Sequence, residues 1–273
     1  MKKFYSKKMN SRRSGFTLIE LVMVIMILAI VAGLAVPVVG WLRRSANYGA
    51  QANIQAAVAS NLEFFRTTYG NNAYPSHLDS LLLDASGGAG GVDPTATIAS
   101  ATSFGHDGIG SVIQLESLSG DFTQSIKAID HVYDHTDDGS WLQGNPGNSG
   151  LVERVLSSGG PNVYATIDRS TSGGAALFTE WYGVDPAEWP AETAVKHIAM
   201  GIGPNCDLVG KTMQSAPMDP RVNASAQYNR FVAVFAVYDP RSGQRAQLRG
   251  VINAKGRSAN NALSEFWQST NPE

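Results

Sequence analysis

A chain of 273 residues with 43% hydrophobic residues has the composition of a globular protein and room for one or two domains. Its net charge of −2 conceals a split: six cations (Lys2, Lys3, Lys7, Lys8, Arg12, Arg13) and no anion precede Gly15, and beyond them 15 Lys and Arg face 23 Asp and Glu, a net −8. An acidic body excludes a general nucleic-acid binder, which needs a basic face, and the single cysteine, Cys206, excludes an intramolecular disulfide.

Behind the basic leader, Phe16 to Leu42 is almost wholly apolar, with Glu20 its one acid. The 22 residues from Leu21 to Leu42 carry no charge, enough helix at ~1.5 Å per residue to cross a hydrocarbon core of ~30 Å. Six cations before the run, against Arg43 and Arg44 directly after it, predict a cytoplasmic N-terminus and an exported body. An ordinary secretory signal has a shorter apolar region and a small-residue cut at its far end, which Ala35-Val36-Pro37 imitates poorly. The natural cut is the Gly15-Phe16 junction, where glycine permits close approach by a peptidase. Glu20 is costly inside a membrane and calls for a partner; the alternative is a carboxylate that snorkels to the cytoplasmic headgroups.

The helix continues: Ile54, Val58, Leu62, Phe65 and Tyr69 form one apolar stripe, with Gln51, Asn53, Gln55, Ser60, Asn61, Glu63 and Arg66 on the other faces. Residues 16–69 are predicted to form a single helix of roughly 80 Å. Pro37, flanked by Gly33, Gly40 and Gly49, predicts a kink or local melting near residues 33–40. Gly70, Asn71 and Asn72 stop the helix, Pro75 prevents its continuation, and Ser76 caps a short helix through Leu83. Asp84 to Gly110, rich in small residues, reads as a long surface loop.

Strands are expected at Ser111–Leu118, Asn162–Asp168, Ala175–Tyr182, Val195–Ile202, Phe231–Tyr238 and Gln247–Ile252. Phe231–Tyr238 is apolar on both faces, as a central strand covered on each side must be, and Asp239-Pro240-Arg241-Ser242-Gly243 turns it into the last strand. One sheet face receives the Ile54–Tyr69 stripe. Ser258–Gln268 is a terminal helix with Leu263, Phe266 and Trp267 inward. The class is α+β: a long N-terminal helix packed on a C-terminal antiparallel β-sheet head with long loops.

Chemistry-bearing motifs are few. Asp130 to Gly139 holds four carboxylates and two imidazoles, and Asp134, Thr136 and Asp138 alternate before Gly139 as oxygen ligands do at the start of a calcium loop. The acid that should close such a loop is replaced by Asn145, and a solvated acidic turn is the competing reading. His131 and His135, four apart, lack an obvious third metal ligand. Cys206 lacks an activating base, Gly201-Ile202-Gly203 is too short for a phosphate loop, and Trp181, Tyr182 and Trp189 suit a binding surface for protein or glycan, or, as is commoner for aromatics in strands, the core.

Gly15-Phe16-Thr17-Leu18-Ile19-Glu20 and the apolar run to Pro37 resemble the class III leader and first helix of type IV pilins and type II secretion pseudopilins, over about the first 55 residues. The resemblance implies that a prepilin peptidase removes residues 1–15 after Gly15 and methylates the Phe16 amine. It leaves a helix over 16–69, in the membrane over about 16–42, and an exported head over 70–273. It implies self-assembly with pilin-like subunits, pairing of Glu20 with the Phe16 ammonium of a neighbour, and extraction by an assembly ATPase and inner-membrane platform. The anchored subunit would sit in the inner membrane, and the filament in the periplasm or at the cell surface. Tyr74-Pro75 followed by spaced leucines is similar to the segment after the long helix of major pseudopilins and favours that branch; major pseudopilins also hold a structural calcium in their C-terminal loops, the one cofactor the Asp134 segment suggests. No catalysis is expected. The alternatives are a type IV pilin serving adhesion, motility or DNA uptake, and a single-pass anchor for an exported enzyme or binding domain.

Overall fold

The computed structural model describes residues 17–83, 97–98, 108–118, 129, 131–135, 151–156, 162–184, 188, 195–222, 228–238 and 244–270. Contacts divide the chain after Ala46, into residues 1–46 and 47–273. One helix, α1 (Leu18–Thr68), runs through that boundary, and its helical assignment is unbroken across Gly33, Pro37 and Gly40. In the first unit the helix is uncovered: Leu18, Ile19, Ile25, Leu28, Val31, Leu34 and Leu42 are all at least half exposed.

The second unit is the head. Among the described residues nine strands join in one hydrogen-bonded sheet: β1 (Leu78–Leu83), β2 (Thr97–Ile98), β3 (Ile113–Leu118), β4 (His131–His135), β5 (Leu151–Val155), β6 (Asn162–Ile167), β7 (Val195–Gly201), β8 (Val232–Tyr238) and β9 (Gln247–Ile252). All pairs are antiparallel except β1 with β4. β7 is the branch point. It pairs along its length with β8, and elsewhere with β6 at Ile198 and with β1 at Gly201.

Alternation along β8 explains the two-layered core. Ala233, Phe235 and Val237 join the cluster of Val58, Leu62 and Phe65 from α1, whereas Val232 and Val234 join Leu177 and Phe178 of a second helix, α2 (Ser172–Tyr182). The strand is covered on both faces, as its unbroken apolar sequence requires. α3 (Ala259–Thr270) buries Phe266, which packs against Tyr48 at 4.9 Å between ring centroids.

Four expectations are corrected. Ala175–Tyr182 is helical: the Thr171 hydroxyl accepts from the Gly174 N–H at 3.1 Å, and Gly183, at φ +69°, closes the other end. Residues 78–83 are a strand. Their leucines sit at helix-like spacing because Leu81, at φ +64°, marks a bulge where the register to β4 shifts. Leu78 thereby enters the first core cluster, and Leu81 and Leu82 enter the second. The stripe on α1 stops at Phe65: Tyr69 lies beyond the helix end and is exposed, while Gln51 and Gln55 are buried. Trp267 is exposed, its neighbour Phe266 having taken the inward position.

The loop expected over 84–110 lies mostly outside the described residues. Within it, Thr97–Ile98 pair with β1, and Ile109 is fully buried in a 3-10 turn.

Candidate functional site

The candidate site begins at the N-terminal end of α1. Gly15 and Phe16 lie outside the described residues; Thr17 and Glu20 do not. The Thr17 N–H and hydroxyl both donate to Glu20 Oε2, at 2.8 and 2.9 Å, and the Glu20 N–H donates back to Thr17 Oγ1 at 3.3 Å. This reciprocal pattern is a capping box, which satisfies two of the donors a helix start leaves open. Its signal, Thr17-x-x-Glu20, stands in the sequence as the spacing of a cap, a second meaning of the lone acid. The acid is therefore held at the first turn of a helix whose most apolar window has a mean hydropathy of 3.0 and no burial. By length and composition the helix is able to cross a membrane.

A second polar site ties α1 into the head. Gln51 Nε2 donates to Asp219 Oδ1, which also accepts from the Arg221 backbone N–H at 2.9 Å. Arg221 Nη1 donates to Gln51 Oε1 at 3.3 Å, and its guanidinium lies 3.8 Å from the centre of the Tyr48 ring. One turn on, Gln55 Nε2 donates to the Arg257 carbonyl at 3.0 Å. Sequence reading placed these glutamines on polar faces because it could not see that their partners come from residues 219–257.

The helix end is fastened by Tyr74. Its hydroxyl donates to Glu63 at 2.8 Å and accepts from the Leu248 N–H at 2.9 Å, and its ring packs 4.8 Å from that of Phe235. Burial raises the phenol to about 12, so it stays a donor.

The remaining sequence candidates fall as follows. Asp134 lies on β4, not in a turn; it is buried and accepts a 2.5 Å hydrogen bond from Ser80 Oγ. Its two companions in the calcium reading, Thr136 and Asp138, lie outside the described residues, as does Trp189. His131 and His135 are strand residues. Cys206 is buried, and burial pushes its thiol up to about 12, which leaves no thiolate for chemistry. Trp181 and Tyr182 pack against the buried His197, whose imidazole burial pushes down to about 3.

Gly201 and Gly203 serve close approach. A Cβ on Gly201 would lie 1.8 Å from the Tyr228 hydroxyl, and one on Gly203 would lie 2.4 Å from Asp79 Oδ1. Tyr228 donates to Asp79 Oδ2 at 2.8 Å in this buried corner. On the outer side of β4, His77 Nδ1 meets Asp207 Oδ1 at 2.9 Å and His77 Nε2 meets Glu153 Oε1 at 3.1 Å. Partial burial opposes the imidazolium, but the hydrogen bonds to Asp207 and Glu153 outweigh it and raise its pKa. Sequence reading passed over His77, which is 54 positions from His131 although the two are neighbours across the sheet.

Compared with known proteins, residues 10–36 match a family described as the prokaryotic N-terminal methylation motif. No curated protein and no solved structure matches the chain. The basic segment, the junction before Phe16, the capped Glu20 and the uncovered apolar helix are thus the parts of a prepilin-type N-terminal signal, of the kind type IV pilins and pseudopilins carry.

Proposed function

We propose that the chain is a structural subunit of a pilus-like filament, a type II secretion pseudopilin, which makes and breaks no bond itself. The observation that carries this reading is the pairing of a methylation motif over residues 10–36 with a helix left uncovered at its apolar end. A plain anchor has no need of the Gly15-Phe16 junction, and helix capping is the one use it has for Glu20. The preference for a pseudopilin over a type IV pilin rests on the Tyr74-Pro75 segment, whose tyrosine fastens the helix end to the sheet.

In the proposed sequence of events the precursor sits in the inner membrane with its N-terminus in the cytoplasm. A prepilin peptidase cuts after Gly15 and methylates Phe16, and an assembly ATPase and platform extract the subunit. Within the filament, apolar side chains exchange lipid for neighbouring helices. At roughly 1.5–3 kcal/mol for each buried aliphatic side chain, a dozen of them amount to tens of kcal/mol on either side, so lipid and filament core nearly balance. A charge pair can then decide register. Glu20 serves it by exchanging its cap to Thr17 for the Phe16 ammonium of a neighbour.

Glu20→Gln keeps the size and much of the capping geometry but removes the charge. The variant is expected to insert and be processed normally and to fall at least about tenfold in the sheared or cross-linked filament fraction, the equivalent of ~1.4 kcal/mol in assembly. Filaments at the unmodified level would overturn the pairing.

A further inference from the structure

We propose that His77, His131 and Glu153 form a binding site for one divalent transition-metal ion of the zinc type on the outer face of the head sheet. The register builds it. β1 and β4 run parallel with Leu78 opposite Val132, which sets His77 beside His131, and the His77 N–H donates to the His131 carbonyl at 2.7 Å. β4 and β5 run antiparallel with Tyr133 opposite Glu153, so Glu153 is the diagonal neighbour of His131. Strand alternation sends Val132 and Asp134 to the other face, where both are buried.

The donor atoms converge. His77 Nε2 and His131 Nε2 lie 3.1 and 4.0 Å from the same carboxylate oxygen, Glu153 Oε1, and the ligating atoms of the three residues all lie within 4.8 Å of one another. Bonds of ~2.1 Å at a tetrahedral angle put ligand atoms about 3.4 Å apart, which these separations bracket. Two imidazoles and one carboxylate are a known zinc donor set, with water in the fourth position.

The surroundings supply what a metal-bound imidazole needs. Asp207 Oδ1 accepts from His77 Nδ1 at 2.9 Å, which fixes the proton there and turns Nε2 toward the ion. The rings of His77 and His131 lie side by side, 5.4 Å between centroids and 18° between planes. His77 is held at φ +61°, a left-handed conformation that a non-glycine residue adopts at a cost. With Asp207 included, the site joins the approach to β1, the β4–β5 pair and the loop after β7. That is a cross-link for a head that has one cysteine and no disulfide.

The test uses the full chain in detergent, stripped with a chelator and titrated with Zn2+ against a chromophoric competitor, and separately with Co2+ while its visible bands are followed. One equivalent per chain is expected, with the intense visible bands of tetrahedral Co2+. His131→Gln and Glu153→Gln should each weaken binding by more than about a hundredfold, and Asp207→Asn by about ten- to a hundredfold, whereas His135→Gln should leave it unchanged. Glu153 is half exposed, so its variant keeps the fold, checked by an unaltered far-ultraviolet spectrum. Absence of stoichiometric uptake, uptake indifferent to Glu153→Gln, or uptake lost with His135→Gln would each overturn the site.

Discussion

Glu20 shows how much one residue's role depends on its nearest neighbour. In the first turn of α1 its carboxylate accepts two hydrogen bonds from Thr17, so the acid is a helix cap before it is anything else. Its presence is legible because a lone acid stands out in an apolar run; its cap is written in the Thr17-x-x-Glu20 spacing, a separate signal from its charge. Gly201 and Gly203 teach the converse. They offered no motif, and their reason is a buried tyrosine and aspartate, Tyr228 and Asp79, far away in sequence. Gly201→Ala places a methyl where the Tyr228 hydroxyl now lies. We expect a loss of about 1–3 kcal/mol in denaturant unfolding, the usual cost of overpacking, whereas Gly210→Ala, with nothing near its Cβ, is opposed only by its φ of +83°. Equal stability of Gly201→Ala and the parent would show that this corner is loosely packed.

Elements were legible where their reason was local. β8 and β9 were found because a strand covered on both faces is apolar throughout and its partner follows a turn. The contiguous apolar residues within Ala175–Tyr182 suggest a strand, yet Thr171 and Gly183 mark the two ends of helix α2. Ser76 after Pro75 offers a cap for a short helix, yet residues 78–83 are β1, a strand with a bulge at Leu81. On α1 the buried stripe runs through Gln51, Gln55, Val58, Leu62 and Phe65, so its first two members are amides. Removing the Gln51 side chain deprives the buried Asp219 of a donor. Gln51→Ala is therefore expected to cost about 1–3 kcal/mol, while Asn53→Ala, at an exposed position, should stay within about 0.5 kcal/mol. Urea unfolding of both variants checks this, and equal midpoints would show that the Gln51–Asp219 tie adds nothing to stability.

At the scale of the molecule, the first 46 residues and the rest are separate contact units with different physics. The first unit exposes Leu18, Leu34 and their neighbours, and its apolar helix finds no cover within the unit. The second is an α+β head with a two-layered core and a free cysteine too buried to react. The signal was readable because charge, hydropathy and one acid all fall within 42 residues. The sites of the head were not, since His77 with Glu153 and Gln51 with Asp219 meet only after the chain has folded. The proposed function turns on the processing of this signal. Its most direct test is the intact mass of the membrane-extracted protein, with its N-terminus sequenced. We expect a chain that begins at Phe16 and carries one added methyl group; a chain that still begins at Met1 would overturn the proposed processing and leave a plain membrane anchor.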